Sequence, residues 1–148
     1  MSKPIIIFLE GTDGVGKSTL RRMLGETIDW LIIERSPLSI LVYGKFFRRK
    51  YNFGNVKLIE ETIAKNFIVV PIFLKADYEA LAQRFKREDG KRIGTPEEVF
   101  AIQNMFLIAI ENSKWDWHVF DTSKGIMENT VKFIKRMIEE AELEAVAS

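Results

Sequence analysis

The chain has no cysteine among its 148 residues, which rules out disulfides, thiolate metal sites and cysteine nucleophiles. Neither sign of charge is in excess. The 22 basic and 21 acidic side chains leave a net charge of +1, so no global field draws the protein onto nucleic acid or an anionic membrane. Long apolar runs are missing too: Lys3 precedes only Pro4-Ile5-Ile6-Ile7-Phe8-Leu9, too short for a membrane span or a normal signal-peptide core. The expectation is a cytoplasmic protein with no membrane partner. The single histidine, His118, sits between Trp117 and Val119 and reads as a packed or edge residue rather than a catalytic base. No repeat, low-complexity block or Pro/Gly/Ser linker interrupts the chain, so residues 1–148 are expected to form one domain.

What is present is concentrated near the start. The apolar run reads as a buried strand bounded by Glu10, and Gly11-Thr12-Asp13-Gly14-Val15-Gly16-Lys17-Ser18 follows it. Thr19-Leu20-Arg21-Arg22-Met23-Leu24 then continues with helix formers. Strand, glycine-rich loop and helix is the setting that the phosphate-binding pattern G-x-x-x-x-G-K-[ST] requires. Gly11, Gly14 and Gly16 allow backbone conformations that turn several N–H groups toward one point, and the helix adds the positive end of its dipole. Lys17 can reach outer phosphates and Ser18 can offer a hydroxyl to Mg²⁺. The loop segment Gly11, Asp13, Gly14, Val15, Gly16, Lys17, Ser18 and Thr19 is therefore the expected nucleotide-binding element.

Apolar runs recur at Asp29 to Glu34, Ile68 to Lys75 and Trp117 to Phe120, separated by stretches of helical periodicity. Pro71 cannot donate to a ladder, which places the third strand mainly at Ile72-Phe73-Leu74. Helices are expected from Leu38 to Lys50, from Val56 to about Asn66, after Asp77, and from the capping box Thr95-Pro96-Glu97-Glu98 to about Asn112. A last helix buries Met127, Val131, Ile134 and Ile138 and dissolves into an alanine-rich tail. Trp115 and Trp117 are expected in the core or on a sheet face. Strands alternating with helices predict an α/β fold with three layers and a small, mostly parallel sheet of about four strands. Its carboxyl edge would align Gly11, Glu34 and Lys75.

A second constellation follows one crossover later. Glu34 ends a strand on the loop's edge and can support Mg²⁺; Arg35 has a planar fork that can bridge donor and acceptor phosphates. Alone, the pair reads as a surface ion pair at a helix entry; beside a phosphate loop the functional reading is favoured. Arg84-Phe85-Lys86-Arg87-Glu88-Asp89-Gly90-Lys91-Arg92 can form a cationic lid, at about 84–95, or an ordinary solvated helix end. Arg48-Arg49-Lys50 interleaves with Phe46, Phe47, Tyr51 and Phe53, which suits single-stranded nucleic acid or a nucleotide as readily as solvent.

These residues resemble the thymidylate kinase and deoxynucleoside kinase group of P-loop kinases. Phe8 to Thr19 is similar to the thymidylate kinase opening F-E-G-x-D-G-x-G-K-[ST]-T, with Leu9 as one extra residue. Glu34-Arg35-Ser36, Ser39 and Tyr43 fall at the spacing of D-R-[YHS]-x-x-S-x-x-x-Y, with glutamate first as in the deoxynucleoside kinase form. The resemblance spans most of the chain and implies an ATP- and Mg²⁺-dependent kinase fold. Lys17 would stabilise the transferring phosphoryl group, Ser18 and Glu34 would hold Mg²⁺, and Arg35 would clamp donor and acceptor. Asp13 would face the acceptor sugar, Tyr43 and Phe46 would wall the acceptor site, and Arg84 and Arg87 would close over the phosphates. Thr122-Ser123-Lys124-Gly125 falls where the family's adenine loop lies.

The chain departs from the family by lacking a long insertion between the first helix and the arginine motif, which in deoxynucleoside kinases carries the glutamate base. A nucleoside hydroxyl needs such a base, whereas a monophosphate presents an ionised oxygen. The expected acceptor is thus a deoxynucleoside monophosphate such as dTMP, in a pocket completed by a homodimer partner, the Tyr43 to Phe53 region or a large substrate. The alternatives are a kinase of deoxynucleosides or of a modified base in DNA, or a nucleotide-binding regulatory module without transfer activity.

Overall fold

Residues 5–10 are apolar up to the final glutamate and are buried along their whole length, as an inner strand covered on both faces must be. In the computed structural model, which describes residues 3–12, 14–25, 31–48, 54–87, 94–126 and 128–147, this strand is β1 (Ile5–Glu10). It is followed by α1 (Lys17–Gly25), β2 (Leu31–Glu34), α2 (Pro37–Phe46), α3 (Gly54–Asn66) and β3 (Ile68–Lys75). The chain continues through α4 (Tyr78–Arg87), α5 (Pro96–Glu111), β4 (His118–Asp121) and α6 (Glu128–Ala147). The sheet has the order β2-β1-β3-β4 and every pairing is parallel.

Alternation along β1 divides the core. Ile5, Ile7 and Leu9, with Ile72 and Leu74 of β3, pack against Leu20 and Leu24 of α1 and Val131, Ile134 and Ile138 of α6. Ile6, Phe8 and Phe73 face the other way, onto Leu38 and Val42 of α2, Ile102 and Phe106 of α5, and both Trp115 and Trp117. Phe8 and Trp115 stack with centroids 4.9 Å apart. Trp115 and Trp117 are core residues, as expected. Helices on both faces complete the three layers.

Several boundaries differ from the sequence expectation. β3 runs through Pro71, which pairs with Phe8 of β1, while β4 joins only from Ile72 onward. Pro71 is thus flanked by β1 alone, where a missing donor is tolerated. Glu10 lies within β1 rather than bounding it. α2 stops at Phe46, short of Lys50, and Arg48 beyond it takes a left-handed φ of 52°. α6 stays helical to Ala147 because its alanines, glutamates and leucine are strong helix formers. Met127 lies outside the described residues.

One buried amide fastens the helical layer to the sheet edge. Gln103 of α5 accepts from Ala76 N–H at 3.0 Å and donates to Ala76 C=O at 2.7 Å, just past the end of β3. No helix among the described residues is long and apolar enough to cross a membrane. Gln103→Leu is expected to strand both Ala76 groups and to cost about 2–4 kcal/mol in urea unfolding, with little change in the volume of the side chain.

Candidate functional site

Parallel pairing brings the carboxyl ends of the strands to one edge: Leu9 is level with Glu34, Glu10 with Phe73, and Lys75 with Asp121. The glycine-rich loop leaves β1 there. Gly11, Gly14 and Gly16 have φ of 149°, 85° and 96°. At Gly11 a Cβ would lie 2.7 Å from Leu74 O and from a Val15 methyl, so glycine is required by space as well as by conformation. Val15 is fully buried and anchors the loop, and α1 begins directly behind it at Lys17. The Lys17 ammonium donates to Gly11 C=O at 2.6 Å, spanning the loop. Ser18 and Thr19 stand exposed on the first turn of α1. Thr12 is buried, and its Oγ1 has no hydrogen-bond partner among the described residues. Asp13 lies outside the described residues.

The loop is held from behind by contacts distant in sequence. Thr122 N–H donates to Lys75 C=O at 2.7 Å, and its hydroxyl donates to Val15 C=O at 2.6 Å with Lys75 C=O also within 3.2 Å. Arg84 applies its fork to both sides: Nη1 donates to Gly14 C=O at 2.6 Å, and Nη2 donates to Thr122 C=O. The guanidinium expected over the phosphates is therefore engaged with backbone at the rear of the loop. Arg87 ends α4, and its side chain, like Lys91 and Arg92, lies outside the described residues.

The loop after β4 is fixed in turn by Asp121, which accepts from the N–H of Ser123 at 2.8 Å and from its hydroxyl. Ser123 Oγ also accepts from Asp77 N–H at 2.8 Å, joining this loop to the entry of α4. The Ser123 hydroxyl, then its N–H, with Lys75 and Arg84 adding positive charge, hold the Asp121 carboxyl below the usual aspartate range. A depressed pKa stabilises the fold above the unfolded-state value of about 3.9, and that contribution is lost as pH falls through the lower folded value. Ser123→Ala should therefore flatten the loss of thermal stability below about pH 4, measured as melting temperature against pH.

The third part is the turn from β2 into α2. Arg35 has φ of 94°, rare for a residue with a side chain, and its N–H donates to Leu9 C=O at 3.2 Å. Its guanidinium carbon lies 5.1 Å from the Tyr43 ring centroid, a cation–π contact one face along α2. Tyr43 is half-buried, edge-on to Phe106 and stacked near Phe47, and Phe46 is half-buried beside it. Ser36 caps α2, accepting from Leu38 N–H at 3.1 Å, with Pro37 at the first helical position. Glu34, partly buried, ends β2 on the same edge.

Sequence reasoning left Glu10 with no role, yet its carboxylate lies at the centre of this edge with no exposed surface. Oε2 accepts from Ser36 N–H, Ser36 Oγ and Ser39 Oγ, each at 2.7 Å, and Oε1 accepts from Gly11 N–H at 3.3 Å. The available signal was an acid closing a fully apolar strand, matched by two hydroxyls three residues apart at a helix start.

Among the described residues no cluster of three or more His, Asp or Glu could cage a metal. Mg²⁺ at a phosphate loop needs few protein ligands, since phosphate and water oxygens complete its octahedron. The Ser18 hydroxyl on the first turn of α1 and the Glu34 carboxylate at the end of β2 are hard oxygen donors of the kind that such an ion takes. No protein-family model and no curated protein sequence matches the chain.

Solved structures do match. The YorR protein of Bacillus subtilis, in complex with phosphorylated GDP, is 22% identical with a TM-score of 0.72, over 94% of this chain and 96% of that one. Thymidylate kinase from Candida albicans is 13% identical with a TM-score of 0.64, over 96% and 94%. Deoxyadenosine kinase from M. mycoides with bound dCTP is 12% identical with a TM-score of 0.58, over 92% and 100%. At these identities the likeness is one of fold alone.

The positive φ at Arg35 has a measurable consequence. Arg35→Gly should be more stable than Arg35→Ala by about 1 kcal/mol, because only glycine adopts this backbone without strain. Chemical denaturation of the two variants reads the difference, whose sign is opposite to that at an ordinary loop position.

Proposed function

We propose that residues 1–148 form a single nucleotide kinase domain that transfers the γ-phosphoryl group of ATP to a deoxynucleoside monophosphate, with dTMP the first candidate. One observation carries this reading: the phosphate loop and the Arg35 turn leave adjacent parallel strands side by side, with Lys17 and Arg35 on one sheet edge. Phosphoryl transfer asks chiefly for positioning and for positive charge along the line of transfer. In this reading the loop N–H groups and Lys17 hold the donor phosphates. Arg35, released from the Tyr43 ring, bridges donor and acceptor, while Tyr43 and Phe46 wall the acceptor and Asp13 meets its sugar. Ser18 and Glu34 would hold Mg²⁺, which when bound neutralises phosphate charge. Arg87 is the better candidate for closure over the phosphates, at a lid about 84–95, because the fork of Arg84 is spent on backbone.

A monophosphate acceptor is supported by the state of Glu10. This carboxylate beside the loop is buried and accepts four hydrogen bonds, so it does not serve as a base for a sugar hydroxyl. Guanine nucleotides are the second choice of substrate, on the ground that the similar YorR structure holds phosphorylated GDP.

Transfer from ATP and GTP should be assayed against the dNMPs, GMP, the deoxynucleosides and hydroxymethylated DNA. Phosphorylation of monophosphates is expected; activity confined to nucleosides or DNA would overturn the acceptor assignment, and nucleotide binding without transfer to anything would favour a regulatory module. Arg35→Ala should lower kcat about a hundredfold or more while leaving ATP affinity within about threefold. Equal loss of both would remove Arg35 from the clamp.

A further inference from the structure

Glu10 has no surface exposed to solvent, yet its carboxylate accepts four hydrogen bonds, from Gly11, Ser36 and Ser39. We propose that Glu10 is the positioning residue that sets Arg35, and that it does so by locking the donor loop and the arginine turn to a single carboxylate. The proposal rests on the reading of Arg35 as the clamp between donor and acceptor.

The geometry is specific. Arg35 lies between two attachments to β1. On one side its own N–H donates to Leu9 C=O, extending the β1–β2 ladder by one residue. On the other side the N–H of Ser36 donates to Glu10 Oε2 at 2.7 Å. The chain must therefore turn from β2 onto the end of the neighbouring strand within one residue, and Arg35 meets that requirement with φ of 94°. A left-handed residue persists only where its surroundings over-determine it. Here they are the hydroxyls of Ser36 and Ser39, both closing on the same oxygen, so α2 itself is tied to Glu10 through its cap and first turn.

The second oxygen makes the lock two-sided. Oε1 accepts from Gly11 N–H, the first residue of the phosphate loop. A shift of the loop is thus transmitted to the turn that aims Arg35 through one rigid group, without a side chain crossing the cradle. Ordinary capping explains Ser36 alone; it does not explain why Ser39 also donates to the same oxygen, or why a carboxylate is buried here with no cation bonded to it among the described residues.

Glu10→Gln and Ser39→Ala test this, the second removing one bond from the lock while keeping the carboxylate. Ser39→Ala is expected to lower kcat about tenfold with ATP affinity within about threefold, and Glu10→Gln to lower it further. In an Arg35→Ala background, Ser39→Ala should cost less than about twofold, since a positioning residue has nothing left to position. An equal loss in both backgrounds would overturn the proposal. Amide hydrogen exchange gives a readout independent of activity: exchange at Gly11 and Ser36 should quicken about tenfold or more in either variant. Unchanged exchange at both amides would sink the lock even if turnover fell. A wild-type protein with no transfer activity on any acceptor would remove the kinase reading, leaving the exchange result to decide the lock by itself.

Discussion

β1 is paired on both sides and buried on both faces, and the placement of the described candidate residues follows from that constraint. Its register with β2 brings Leu9 level with Glu34, and its register with β3 brings Glu10 level with Phe73. A strand so enclosed has one free end, and everything that leaves the sheet near it is forced into the same small volume. The glycine loop, the Arg35 turn and the start of α4 meet there because parallel strands all finish on one edge. The alternating side chains of β1 also divide the core between α1 and α6 on one face and α2 and α5 on the other. Strain at the edge is thereby supported by packing on both sides.

Two kinds of support act on the cradle. Steric support comes from Gly11, where a side chain would strike Leu74 O and Val15, and from Val15 itself, which is sealed into the core. Polar support comes from Thr122 and Arg84, whose donors satisfy loop carbonyls that would otherwise be left at the rear of the loop. A phosphate-binding loop must present its N–H groups to the front, and its carbonyls consequently face back into the protein. Pairing those carbonyls is as much a condition of the cradle as the glycines are.

The parts legible in the sequence were those encoded by local pattern. Glycine spacing marked the loop, apolar runs marked four parallel strands, Thr95-Pro96-Glu97-Glu98 marked the start of α5, and Glu34-Arg35-Ser36 marked the turn. The parts missed depend on contacts between positions far apart in the chain. Arg84 reaches Gly14 across 70 positions, and Gln103 reaches Ala76 across 27. As sequence, Arg84 is one of several basic residues at a helix end, and nothing local distinguishes a guanidinium bonded to backbone from one facing phosphate. Glu10 was visible but read as punctuation, because an acid after an apolar run ordinarily ends a strand at solvent. Pro71 misled in the opposite direction: its effect depends on whether a neighbouring strand has begun, which is a property of the sheet and not of the residue.

The fork of Arg84 spans two loops that lie far apart in the chain. One is the glycine-rich loop, through Gly14; the other is the segment after β4, through Thr122. Because one planar group holds both, their conformational equilibria share a common free energy. Any ligand that favoured one arrangement of the segment after β4 would change the affinity of the glycine-rich loop for a second ligand by a fixed factor, and that second ligand would return the same factor. Under the function proposed above, the two ends of a bound nucleotide would be coupled through Arg84 as well as through the ligand's own covalent bonds.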